Sequence, residues 1–191
     1  PGCIPGRAMT TAIEHRWSIK LQIANPALVE PGLLVLQKKL ERVVPAPLTI
    51  PVPGAYLLHP NSGDLNLLTD LMRRAYSLGC ETPPALRLRL RGYFSSCEAR
   101  PLLDCSWMCF VDGRVVSACL IALPRGDSAP RLIDLITDTA WQGRGLATTL
   151  LEKSQHALVE NGFSSVQLMC YAADDLRIQK LKQLGFTTAD H

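Results

Sequence analysis

Asp112-Gly113 stands between two runs rich in β-forming residues, Trp107 to Val111 and Val115 to Leu123. Both central residues of a two-residue hairpin turn need φ > 0, which Asp tolerates and Gly adopts freely, so the pair predicts an antiparallel hairpin in mid-chain. Before it, Asp64 to Leu78 places Leu65, Leu68, Leu71, Met72, Ala75 and Leu78 at the helical period, and Gly79 follows as a stop. Pro83-Pro84 suits the first turn of a second helix, running to about Glu98. After the hairpin, Leu132 to Thr137 reads as a strand and Leu146 to Val159 as a helix closed by Asn161-Gly162. Val166 to Cys170 is a further strand. Asp174-Asp175 then caps a last helix carrying Ile178, Leu181 and Leu184, closed by Gly185. This order predicts an α/β fold with a mixed sheet.

The first fifty residues follow another pattern. His15 to Ile23 alternates polar and apolar residues as a strand does, and Gly32 to Val43 reads as a short amphipathic helix. Pro45, Pro47, Pro51 and Pro53 then make an extended connector. The division expected is an N-terminal extension over 1–53 and a main domain over 54–191. That domain opens with a short strand in AYLL and a turn at Asn61 to Gly63.

Composition narrows the classes of function. With 47% hydrophobic and 19% charged residues, the 191-residue chain is that of a folded protein and not of a disordered one. A net charge of +3 is too small for a nucleic-acid footprint. Arg87, Arg89 and Arg91 among leucines therefore read as a solvated helix face near an anionic ligand. No apolar run approaches the roughly 20 residues that span a bilayer. Pro1 to Met9 lacks a secretory pattern, and Met9 is a candidate initiator. The seven cysteines include no CxxC pair and the four histidines are scattered, so buried free thiols in a reducing cytoplasm are expected, with no metal site.

The chemistry concentrates where strand Leu132–Thr137 runs through Asp138 to Trp141 into Gln142-Gly143-Arg144-Gly145-Leu146-Ala147 and opens the long helix. A helix start leaves backbone N–H groups unpaired, and its dipole favours negative charge there. Gly143 and Gly145 remove side chains that would keep a phosphate from those donors. Arg144 adds a cation that can pair one. The small Ala147 lets the helix approach the strand. A phosphate group, most simply a diphosphate, fits this turn; the residues alone do not name the molecule that carries it.

Here the chain resembles the GCN5-related N-acetyltransferases (GNAT), whose signature at this turn is Gln/Arg-x-x-Gly-x-Gly/Ala. QGRGLA matches with Ala in the last place. The lead-in IDLITDTAW is similar to the family's fourth strand and the turn after it, and LKQLGF to its last helix ending. The element order agrees from Ala55 to Phe186. The resemblance implies a mostly antiparallel sheet flanked by helices, with a V-shaped opening between the family's fourth and fifth strands. Acetyl-CoA would be the co-substrate: Leu135, Ile136 and Thr137 would pair with its pantetheine arm through backbone groups. Gln142, Gly143, Arg144, Gly145, Leu146, Ala147 and Thr148 would hold the pyrophosphate. Asp174 stands where the family often has an asparagine at the cofactor. A primary amine, on a small molecule or a peptide, would attack the thioester directly.

The departures from the family pattern bear on catalysis. The tyrosine often found four residues before the Gly-Phe is Leu181 here, which cannot donate a proton. Tyr171 is the nearest spare hydroxyl by sequence. Where the family draws a base from its fourth strand, this chain has Arg131 and Ile133, and Asp134 is the carboxylate that remains. A non-catalytic coenzyme A-binding module is the alternative these losses suggest. The chain also stops soon after Gly185, where the family usually adds a strand. An open sheet edge invites pairing, so the extension is expected to cover it, within the chain or by exchange in a homodimer.

Overall fold

The computed structural model describes residues 33–41, 49–76, 82–96, 98–171 and 175–189. Its centre is the expected hairpin: β4 (Trp107–Val111) and β5 (Arg114–Pro124) are joined through Asp112 at φ 50° and Gly113 at φ 74°. The other strands are β1 (Leu33–Lys39), β2 (Tyr56–Leu58), β3 (Ala99–Pro101), β6 (Arg131–Thr137), β7 (Ser165–Tyr171) and β8 (Thr187–Thr188). All eight lie in one sheet of order β2-β4-β5-β6-β7-β1-β8, with β3 paired to the far end of β5. Every pairing is antiparallel except that of β6 with β7. This is the mixed, mostly antiparallel sheet expected.

Helices cover both faces. On one lie α1 (Leu65–Ala75) and α2 (Pro83–Ser95), which bury Leu68, Leu71, Met72, Leu86, Leu90 and Tyr93 against Ala118, Leu120 and Ile136 of the sheet. On the other, α3 (Leu146–Glu160) buries Leu146, Leu150, Leu151 and Leu158 at helical spacing, and α4 (Asp175–Gln183) adds Leu181. The helix α3 is the crossover that a parallel strand pair requires. It stops at Asn161-Gly162, with Gly162 at φ 84°.

One expected element changes type. The segment read as a helix over Gly32–Val43 contains β1, all seven residues of which pair antiparallel with β7, from Leu33↔Tyr171 to Lys39↔Ser165. A short apolar run such as LLVL satisfies helix and strand patterns equally, and the open edge of β7 decides between them. Leu36, fully buried, enters the core beside Leu168 and Phe186. The two-residue β8 then adds to the outer side of β1 through Leu36↔Thr188 and Gln37↔Thr187. Part of the extension thus covers the edge within the chain, using Leu33–Lys39. The strand expected over His15–Ile23 lies outside the described residues.

Candidate active site

The parallel pair β6 and β7 meets only at its beginning. Arg131↔Gln167 is in register, and the Gln167 N–H donates to the Pro130 carbonyl at 2.9 Å. Beyond that point the strands part. The gap widens into an open cleft of about 320 Å³, lined by Leu135, Ile136 and Thr137 of β6, by Gln142 to Thr148 except Arg144, and by Leu181 of α4. Its size falls at the low end of small-molecule sites, and its walls are mainly apolar. The V-shaped opening expected between these strands is present.

Alternation along β6 decides which main-chain groups face the gap. Ser117 Oγ donates to the Ile136 carbonyl at 2.8 Å and the Asp138 N–H to the Val116 carbonyl at 2.9 Å, so those groups turn toward β5. Leu135 and Thr137 therefore turn theirs toward the cleft. The Thr137 carbonyl accepts from Gln142 Nε2 at 3.2 Å, which ties the glycine turn to the strand end. Further down β6 the pairing with β5 shifts register between Leu120 and Ile121, a bulge that gives Ile133 no direct partner in the register. Bulges of this kind re-aim a strand locally.

At the cleft's upper end, Gly143 (φ 75°) and Gly145 (φ 79°) both have left-handed backbone, which explains glycine at each. Gly145 is the N-cap of α3 and supplies no side-chain capping bond, and the first helical bond runs from the Thr149 N–H to its carbonyl at 3.0 Å. The N–H groups of Leu146, Ala147 and Thr148 thus begin the helix with no acceptor in the turn before them. A Cβ at Gly145 would sit 3.4 Å from Pro51 Cγ, so the connector backs the turn. Arg144 stays out of the cleft wall. Its guanidinium lies 4.5 Å over the Trp141 ring and donates to the Ala140 carbonyl at 3.4 Å.

Asp134, the carboxylate that remained as a candidate base, does not line the cleft. It is buried on the α1/α2 side of β6, where its Oδ1 accepts from the Tyr76 hydroxyl at 2.9 Å and pairs with Arg89 at 3.4 Å. Arg89 also donates to the Tyr76 oxygen at 3.3 Å. Burial pushes the Tyr76 phenol well above its usual range, and the Asp134 charge adds to this. Of the three arginines read as a solvated face, Arg87 and Arg91 are exposed, whereas the Arg89 side chain is only 8% exposed. No local sequence pattern marks this arrangement, because Tyr76, Arg89 and Asp134 come from separate elements of the chain. A second buried acid, Asp138, caps the turn before Trp141 and is held by Arg74 Nε at 2.6 Å, with Arg114 at 3.8 Å.

Tyr171 ends β7, and Asp174 lies outside the described residues. Leu181 is buried and forms part of the cleft wall, as do Trp141 and Leu184, while Ala75 and Lys180 complete it. Neither Ala75 nor Lys180 carries a sequence signal for this site. Burial pushes the Cys105 and Cys109 thiols up to about 11 and Cys119 to about 12, so none is poised as a nucleophile. Among the described residues no three His, Cys, Asp or Glu side chains gather as a metal site would require, and no helix is long and apolar enough to cross a membrane.

A strand running through an uncapped glycine turn into a helix, beside a parallel strand that splays away, defines an α/β protein with an open cleft in its sheet. Residues 65–186 match the Acetyltransferase (GNAT) family, and the chain belongs to that family. No curated protein sequence matches the chain. Solved structures share its fold at low identity. A GCN5-related N-acetyltransferase from Sphaerobacter thermophilus is 17% identical with a TM-score of 0.62, covering 82% of this chain and 48% of its own. The present chain thus spans about half that protein's length. The ribosomal-protein-S18-alanine N-acetyltransferase from Escherichia coli is 18% identical with a TM-score of 0.56, covering 71% and 79%. PaiA N-acetyltransferase from Thermoplasma acidophilum, solved in complex with coenzyme A, is 14% identical with a TM-score of 0.54, covering 72% and 92%.

Proposed function

We propose that this protein transfers an acetyl group from acetyl-CoA to a primary amine by direct attack on the thioester. The observation that carries the reading is the parting of β6 from β7 directly below the uncapped start of α3. The residues fit the cofactor: two left-handed glycines leave room at the turn, and Leu135 and Thr137 offer main-chain groups along the cleft. The relative solved with coenzyme A has the same fold and supports the assignment. When bound, the cofactor supplies the acyl group as an activated thioester.

The chain's own residues then have separable parts. The N–H groups of Gly143, Gly145, Leu146, Ala147 and Thr148, aided by the helix dipole, hold the pyrophosphate. Gln142 fixes the turn to the strand. Arg144, stacked on Trp141, brings a positive charge to the rim. Leu135, Ile136 and Thr137 form the wall for the pantetheine arm, with Leu135 and Thr137 as its main-chain partners. Asp174 is assigned to the cofactor's edge. Tyr171 is assigned as proton donor to the leaving sulfur, since Leu181 cannot serve. Asp134, ion-paired and buried, is a positioning residue that ties α1 and α2 to β6. Catalysis rests mainly on orientation of a neutral amine against the thioester. The buried free thiols suit a reducing compartment such as the cytoplasm.

Thiol release from acetyl-CoA, measured across a panel of primary amines, tests the reading. Release stimulated by at least one amine is expected. Tight coenzyme A binding with no turnover on any amine would contradict it and favour a binding module, which the apolar Leu181 in place of a proton donor also suits.

A further inference from the structure

Asp138 stands where the cleft-lining strand ends, and its two carboxylate oxygens face different parts of the molecule. Oδ1 accepts from the Ala140 N–H at 3.1 Å, and the Asp138 carbonyl accepts from the Trp141 N–H at 2.8 Å, so this one residue closes the short turn Thr139–Trp141. That turn delivers Gln142 to the Thr137 carbonyl and leads straight into Gly143–Thr148. Oδ2 instead accepts from Arg74 Nε of α1 at 2.6 Å, with the exposed Arg114 at 3.8 Å. Arg74 also donates through Nη2 to the Val115 carbonyl at 2.7 Å, and its own carbonyl accepts from Thr139 Oγ1 at 3.5 Å. Asp138 is 5% exposed, so the pair is largely withdrawn from solvent.

A carboxylate so close to an anion site is unfavourable by charge alone, because like charges repel. The geometry gives it another use. A loop that must present several N–H groups to one anion binds better when it already holds that shape, since ordering it is then no part of the cost of binding. Here the shape is set at Oδ1, and Asp138 is itself fixed at Oδ2 by a helix on the face of the sheet opposite α3. Resting on the coenzyme A reading above, we propose that Asp138 and Arg74 are positioning residues for the cofactor, which hold the turn Gln142–Thr148 in its binding shape from α1. Neither lines the cleft. Arg74 precedes Ala75, which does, so one contact sets the turn and the α1 side of the opening together.

The test is titration calorimetry of coenzyme A against the full chain as wild type, Asp138→Asn, Arg74→Met and the double variant, each checked for folding by circular dichroism. Asparagine keeps an oxygen to cap the turn but sets an amide N–H₂ against Arg74. By charge alone, losing this acid near an anion would tighten binding, and losing Arg74 would weaken it. Positioning predicts weaker binding in both, by about 5-fold or more, the low end of coupling between linked sites. The double variant keeps the wild-type net charge and leaves neither partner of the pair behind. It should also bind about 5-fold or more weakly, and by less than the product of the single losses, because both substitutions break one link. Unchanged or tighter binding by Asp138→Asn overturns the proposal. Breaking a buried pair can stop a single variant from folding; the double variant then decides, and wild-type affinity in it overturns the proposal. No saturable binding of coenzyme A to wild type overturns the cofactor reading itself, and this proposal with it.

Discussion

At Leu181 a single side chain separates two accounts of the leaving group. The residue is buried in the cleft wall and offers no proton. Leu181→Phe should therefore change kcat by less than about 10-fold, against the roughly 10²–10⁴-fold attributed to a positioned acid or base. Tyr171→Phe should lower kcat into that larger range with coenzyme A affinity unchanged. Equal activity of Tyr171→Phe and wild type would remove Tyr171 from the mechanism and leave solvent as donor. The glycines of the turn were legible from sequence because only a few residues tolerate a left-handed backbone, and Gly143 and Gly145 both adopt it. The environment of Asp134 was not. Its partners Tyr76 and Arg89 arrive from α1 and α2, and no local spacing encodes which residue of a helix will cross to a given strand.

The elements show the same division between local and long-range information. The hairpin β4–β5, the crossover β6–α3–β7 and the amphipathic α1 each carry their own signals, and each formed where the sequence placed it. The strand β1 did not, since a run of four apolar residues followed by QKK takes its conformation from whatever edge it meets. Its seven-residue ladder covers the free edge of β7, and the two-residue β8 pairs with its outer side. Leu36 links that ladder to the core and is 0% exposed. Leu36→Ala should lower the unfolding free energy by about 2–5 kcal/mol, as other buried leucine truncations do. Denaturant titration would show this as a shifted midpoint with an unchanged slope. A loss below about 0.5 kcal/mol would mean that β1 contributes little to the folded domain.

Taken whole, the molecule is a three-layer sandwich whose central sheet is opened at one place, and its stability and its function separate along that line. The buried thiols belong to stability. Desolvation pushes Cys119 up to about 12, above its ordinary 9.0, although a hydrogen bond from Ser154 draws it back somewhat. A raised folded-state pKa means that the native protein keeps a proton which the unfolded chain releases first. The contribution is thus complete below pH 9 and declines as pH rises from 9 toward 12. Urea midpoints should fall across that window, and Cys119→Ala should make the fall shallower. An equally steep fall in the variant would assign the alkaline transition to other groups.

Function belongs to the opening, and its central claim is that the turn from Gly143 to Thr148 holds the pyrophosphate of coenzyme A. Gly145 is the point of greatest leverage, because it caps α3 and its backbone is backed by Pro51. Titration calorimetry of coenzyme A against wild type and Gly145→Glu, each checked for folding by circular dichroism, addresses the claim directly. The account predicts saturable binding to wild type and at least about 100-fold weaker binding to the folded variant, since the introduced carboxylate would occupy and repel the anion. Binding of coenzyme A to folded Gly145→Glu with wild-type affinity would contradict it.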